Sequence, residues 1–283
     1  MITAKDNVLI VGLGLIGGSY AKGLRKTGCH ISAITRSQST IDYALEHNII
    51  DEGTIEEDPA LIGKADFVIF GLYPHTMIDW IRRNQKHFKP GALLTDVAGV
   101  KCGVVDVIQS FLRKDVEFLG THPMAGREVY GVQNSDEAIF HGANFIITPT
   151  AQNSDEAIAF ARELAEQLGF NHITELSIEE HDEMIGFVSQ LTHAVAVSLM
   201  NTSDNTHLKD YTGDSFRDLT RIAKINETMW SELFFLNKKN LVREIDDFIA
   251  SMEELKDTIV REDEAAIKKL FIQSTERRKY FDR

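Results

Sequence analysis

Between an apolar run, Val8-Leu-Ile-Val11, and a helical pattern reaching Leu24, the chain reads Gly12-Leu-Gly14-Leu15-Ile16-Gly17. No other stretch narrows the fold as much. Three glycines at this spacing answer three steric demands. The first permits a tight turn out of a strand, the second lets a pyrophosphate approach the backbone, and the third lets helix and strand pack closely. Free N–H groups and the dipole at the helix start then favour a phosphate. Glycine turns of purely structural use share this pattern, so its weight comes from what surrounds it.

The surroundings alternate between strand and helix. Ile31–Ile34, Phe67–Phe70, Ala92–Leu94, Glu117–Leu119 and Asn144–Ile147 read as buried strands. Helical patterns such as Thr40–His47 and Val104–Arg113 separate most of them. This order predicts parallel βαβ units, a doubly wound α/β sheet of Rossmann type with helices on both faces. A helix over Ser154–Leu168 and a strand at His172–Glu175 close the region. Beyond it Ser177-Ile-Glu-Glu180 has the form of a capping box, and Met184, Ile185, Val188, Leu191 and Val195 recur at helical spacing. Leu233, Leu236, Leu241, Ile245 and Phe248 do the same further on. We expect a dinucleotide-binding domain over residues 1–175 and an all-α domain over 176–283.

Composition removes several function classes. Forty-three acidic against thirty basic residues give a net charge of −13, a poor match for nucleic acid or an anionic membrane. The apolar stretch Asn7–Ser19 superficially resembles a signal-peptide core, but Asp6 stands where a basic residue is wanted and glycines interrupt the run. No later window is expected to reach the ~20 apolar residues of a membrane span. Two cysteines, Cys29 and Cys102, are too few for a disulfide framework or a four-thiolate zinc site, and they point to a reducing cytoplasm. HExxH, GxSxG and P-loop patterns are missing, so no metal is expected and hydrolase and kinase readings weaken.

The second strand ends Ile34-Thr35-Arg36-Ser37 without the carboxylate that would bind the ribose hydroxyls of NAD. Arg36 suits a 2′-phosphate, and Thr35 and Ser37 add hydroxyl donors, which points to NADP with NAD as the alternative. For the chemistry, Gly120-Thr-His122-Pro-Met-Ala-Gly126-Arg127-Glu128 follows a strand, and His122 suits a proton acceptor near neutrality. His181 and His193 lie twelve residues apart on one helix, roughly 18 Å, so at most one is expected to touch a small substrate. Arg217 and Arg221 lie four apart; either is a candidate for a substrate carboxylate or for a surface ion pair.

With these residues in view, the chain resembles the prephenate/arogenate dehydrogenase family over nearly its whole length. The matching segments are Val11–Ser19, Thr95-Asp-Val-Ala-Gly99-Val-Lys101, Gly120–Gly126, Glu180-His-Asp182, Ser189–Val195, Phe216–Ala223 and Met229-Trp230. The resemblance implies oxidative decarboxylation of prephenate to 4-hydroxyphenylpyruvate, or of arogenate to tyrosine, by a homodimer joined through its helical domains. It implies His122 as the acceptor at the ring hydroxyl, Arg221 as the carboxylate-binding residue and His193 on the substrate side. Glu128 and His181 fall in a polar network at the domain contact, Trp230 beside the substrate, and Pro74 joins the cofactor set. Departures stand at Gly99, where many members carry a serine supporting the histidine, at Gln190, where a histidine is common, and at Arg127, where a small hydroxyl residue is frequent. No regulatory domain is expected after the helices, so inhibition by tyrosine would compete at the active site. A dehydrogenase of 6-phosphogluconate type and a non-catalytic dinucleotide sensor are the competing readings.

Overall fold

The computed structural model describes residues 1–282. Eight strands form one sheet: β1 (Asn7–Val11), β2 (His30–Ile34), β3 (Glu52–Thr54), β4 (Phe67–Phe70), β5 (Leu93–Asp96), β6 (Glu117–Pro123), β7 (Asn144–Thr148) and β8 (His172–Glu175). Their order is β3-β2-β1-β4-β5-β6-β7-β8. The helices of this part are α1 (Leu15–Leu24), α2 (Gln38–Glu46), α3 (Pro59–Lys64), α4 (Pro74–Asn84), α5 (Val105–Phe111) and α6 (Asp155–Leu168).

The central strand shows why the sheet is covered on both sides. Val8 and Ile10 of β1 join one apolar cluster, with Tyr20 and Leu24 of α1 and Leu164 of α6. Leu9 and Val11 join the other, with Met77 and Ile81 of α4 and Ile108 of α5. Alternate side chains of a strand face opposite ways, so a strand with four successive apolar residues needs helices above and below. Two details depart from the sequence reading. β3 is an unanticipated edge strand. β7 runs antiparallel to β6, because the 20 residues between them form short 3₁₀ turns instead of a crossover helix.

After β8 the chain is helical: α7 (Ile178–Ile185), α8 (Thr192–Asn201), α9 (Asp214–Thr220), α10 (Glu227–Leu236), α11 (Lys238–Val260) and α12 (Glu264–Arg278). The expected capping box starts α7, with Ser177 Oγ accepting from Glu180 N at 3.2 Å and Glu180 Oε2 accepting from Ser177 N at 2.9 Å. A π turn over Gly186–Leu191 joins α7 to α8. The resulting run Ile178–Asn201 corrects one expectation. Its 24 residues contain an 18-residue window of mean hydropathy 1.2, so it is long and apolar enough to cross a membrane by length and composition. A count of uninterrupted apolar residues misses it, because Ser, Gln, Thr and His alternate with strongly apolar neighbours. Its buried side chains include His181, Asp182, Ile185, Gln190 and Leu191, so the run contributes to packing within the chain. Ile178 and Leu233 enter the apolar cluster of α4 and α5, which seats the helical part against that face of the sheet.

Candidate active site

The sheet order reverses between β1 and β4, and ligands of open α/β folds gather at such a point beyond the strand ends. Gly12 leaves β1 at φ +97°, and a Cβ there would lie 2.5 Å from Gly71 O at the end of β4. A Cβ on Gly17 would overlap Gly12 O, whereas one on Gly14 would meet nothing within 4 Å. The outer two glycines thus close the turn, and the middle one leaves a cradle open above the start of α1, with Leu15 and Ile16 in its first turn. That cradle fits a dinucleotide pyrophosphate. Pro74 is the first residue of α4, at the neighbouring strand end. Beyond β2, Arg36 is exposed, while Ser37 Oγ caps α2 by accepting from Thr40 N at 3.4 Å. The Ser37 oxygen therefore has a structural partner before any ligand arrives.

Two strands further along, His122 stands near the end of β6. A buried ion pair fixes this edge: Lys101 Nζ donates to Asp96 Oδ2 and to Thr121 O, each at 2.6 Å. Asp96 Oδ1 accepts from Thr121 N at 3.0 Å, which ties the end of β5 to β6. Deleting one partner of such a pair would strand the other charge. His122 Nδ1 lies 2.9 Å from His181 Nε2, and His181 Nδ1 lies 2.7 Å from Asp182 Oδ1. Burial, then His181, then the Lys101 ammonium hold the His122 pKa well below the usual histidine range. Burial also lowers the His181 pKa, against the opposing pull of Asp182. A Cβ on Gly99 would lie 3.8 Å from His122 Cε1 and Nε2 and 3.6 Å from Leu233 Cδ1. The Nε2 side of the ring thus faces a residue that has no side chain.

A second group gathers on the helices. His193 stacks on Trp230 with ring centroids 3.7 Å apart, and its Nδ1 donates to Ser189 O at 2.9 Å. Burial lowers its pKa, leaving Nε2 as an acceptor. Arg221 pairs with Glu128, and Arg217 with Asp214 at 3.1 Å. Both arginines thus sit in exposed ion pairs, Arg217 within its own helix and Arg221 across to the segment after β6. Arg127 turns to Asp136 at 3.1 Å, so its cation is already matched. Gln190 is buried; its Nε2 donates to Leu233 O at 3.1 Å, and its Oε1 accepts from Asn237 Nδ2 at 2.8 Å, tying α10 to the π turn. His181 and His193 occupy different surroundings, as their separation on one helix requires. Sequence alone gives Asp96, Lys101 and Asp182 no role, although all three lie in the segments carrying the resemblance.

The prephenate dehydrogenase nucleotide-binding domain matches residues 20–174, and the prephenate dehydrogenase dimerization domain matches residues 177–273. The chain belongs to the prephenate dehydrogenase family. The match begins after the glycine loop, so the reading of Gly12–Gly17 rests on the turn geometry above. Prephenate dehydrogenase of Bacillus subtilis (strain 168) is 31% identical over 267 residues, covering 92% of this chain and 71% of that protein. The crystal structure of prephenate dehydrogenase from A. aeolicus, in complex with hydroxyphenyl propionate and NAD+, superposes with TM-score 0.89 at 34% identity, covering 98% of both chains. Synechocystis arogenate dehydrogenase superposes at 0.82 with 25% identity, covering 98% of this chain and 100% of that one. Solved structures named for either substrate therefore share this fold.

Proposed function

We propose that the chain oxidatively decarboxylates prephenate to 4-hydroxyphenylpyruvate with transfer of hydride to a nicotinamide dinucleotide, and that arogenate, giving tyrosine, is the alternative substrate. One observation carries the reading within this family: His122, its pKa held well below the usual histidine range, stands near the end of β6 with Nε2 3.8 Å from where a side chain on Gly99 would begin. The bound dinucleotide supplies the hydride acceptor. His122 Nε2 accepts a hydrogen bond from the ring hydroxyl while its carbon gains carbonyl character, which stabilises the developing charge. Arg221 pairs a substrate carboxylate, and His193 stacked on Trp230 forms a wall on the substrate side. The C–H electron pair leaves as hydride, and the C–CO₂ electron pair enters the ring as CO₂ departs. The hydroxyl proton ends on the phenol. Reduced-nicotinamide absorbance, with prephenate and arogenate offered separately, tests the assignment; silence with both substrates overturns it.

The finer parts of this reading have their own supports. NADP is the preferred cofactor because Arg36 is exposed beside the glycine cradle and no carboxylate occupies the end of β2. Arg36→Ala removes a charge-assisted contact of about 1.5–3 kcal/mol. It should raise KM for NADP about ten- to hundredfold and leave KM for NAD nearly unchanged; an undiminished NADP preference contradicts this. The cofactor unit spans residues 1–175 and the substrate and dimerisation unit 176–283. Exposed Met184, Phe187 and Val188 on the first helical run, and Phe248, Ile249 and Met252 on α11, suit a homodimer interface, and the cytoplasm is the setting for such a biosynthetic step. Sedimentation at micromolar concentration should return twice the 31.8 kDa chain mass, and a single-chain mass would count against the dimer.

A further inference from the structure

His122 is gripped from the side that faces away from Gly99. We propose that Asp182 and His181 are positioning residues that fix the His122 tautomer, with the proton on Nδ1 and Nε2 bare. The inference deepens the reading of His122 as the acceptor at the substrate hydroxyl and rests on it for its kinetic consequence.

Asp182 is fully buried. Its Oδ1 accepts from Lys101 N at 2.9 Å and its Oδ2 from Cys102 N at 2.8 Å. Both donors are backbone amides, so they hold the carboxyl group in orientation and present an acceptor to its third neighbour, His181 Nδ1. That nitrogen must carry a proton, because a bare lone pair there would face an oxygen lone pair at 2.7 Å. A neutral imidazole holds one N–H, so His181 Nε2 is bare. His122 Nδ1, 2.9 Å away, must then supply the proton of that contact, and His122 Nε2 is bare in turn. Burial of both rings and the nearby Lys101 ammonium oppose a second proton on either.

The anchor of this relay is itself held. The Asp182 main-chain oxygen accepts from Asn237 Nδ2 at 2.7 Å, and Asn237 Nδ2 also donates to Gln190 Oε1. The loop after β5, the helix α7 and the junction of α10 with α11 all meet at this one residue. A free imidazole favours the opposite tautomer, with hydrogen on Nε2, which would point a donor at the substrate hydroxyl. Asp182 and His181 remove that option before substrate arrives, as the buried aspartate does for the histidine of a serine-protease triad.

Selective ¹⁵N-histidine labelling of the full chain reads the tautomer directly, with the His122 signals assigned by their loss in His122→Asn. The expected wild-type spectrum has His122 protonated at Nδ1 and bare at Nε2. A proton on Nε2 overturns the proposal whatever the enzyme turns over. His181→Leu should shift the ring toward the Nε2–H form and lower kcat at least about tenfold, and by no more than the 10²–10⁴ that a positioned acceptor contributes in full, with both KM values within threefold. His181→Gln offers an amide oxygen to His122 Nδ1–H and should recover the tautomer and most of kcat. Equal losses in both variants with the tautomer unchanged would assign His181 a packing role only and refute the relay. Should His181→Leu fail to fold, the wild-type spectrum and His181→Gln still decide. A chain with the expected spectrum but no turnover of either substrate refutes the functional reading and leaves the relay standing.

Discussion

His122→Asn should lower kcat about 10²–10⁴-fold, the usual contribution of a positioned proton acceptor, while KM for dinucleotide and substrate moves only a few-fold. Asparagine reaches about as far as Nδ1 of the ring it replaces. It can keep the contact with His181, but nothing remains at the Nε2 position, so the change isolates the acceptor from the packing. The pH profile gives an independent check. Only the neutral ring accepts a hydrogen bond, so activity is present above the His122 pKa and lost as pH falls through it. Burial, His181 and Lys101 depress that pKa. Asp96 and Asp182 neutralise part of the same cluster without reversing the direction. The acid limb of kcat/KM should therefore lie below the ordinary histidine range and be absent from the His122→Asn profile. An acid limb at the ordinary histidine pKa or above, or an asparagine variant with near-normal kcat, would remove His122 from the acceptor role.

How much of this site is visible in the chain alone depends on whether a feature is local. The glycine loop is local: a strand, a turn at positive φ and a helix start lie within 15 residues, and each step has its own residue requirement. The capping box at Ser177 is equally short-range and forms as read. β3 escapes because three residues, Glu52-Gly-Thr54, at a sheet edge carry no apolar alternation. The reversal at β7 escapes because 3₁₀ turns have no periodicity to detect. Asp96, Lys101 and Asp182 escape for a different reason. Charged residues default to the surface in any reading of one sequence, and only the meeting of β5, β6 and α7 shows each finding a partner inside. The helical spacing from Leu233 to Phe248 conveys a similar limit. It looks continuous, yet the helix is interrupted at Asn237 between α10 and α11, where the buried Asn237 side chain donates to Asp182 O and Gln190 Oε1.

Arg221→Ala should raise KM for prephenate about ten- to hundredfold, the loss of a charge-assisted contact of about 1.5–3 kcal/mol, with dinucleotide binding unchanged. The chain carries net charge −13 and must hold an anionic substrate against its own average field, so a single placed cation has a large share of the work. In this structure Arg221 is paired with Glu128, and the arginine side chain keeps 63% of its exposure. An ion pair so open to water is worth little, about 0–1 kcal/mol, so Glu128 holds the guanidinium in place without competing strongly for it. A substrate carboxylate arriving beside the Trp230–His193 stack excludes water from the same contact and makes it stronger. Arg221→Lys separates charge from shape: it keeps the cation but loses the planar fork that meets both carboxylate oxygens. Its KM should fall between wild type and alanine. The Glu128 carboxylate must then find a new partner, yet the melting temperature should stay within a few degrees of wild type because the pair is exposed. An unchanged KM in Arg221→Ala, with the fold intact, would move carboxylate recognition to another residue.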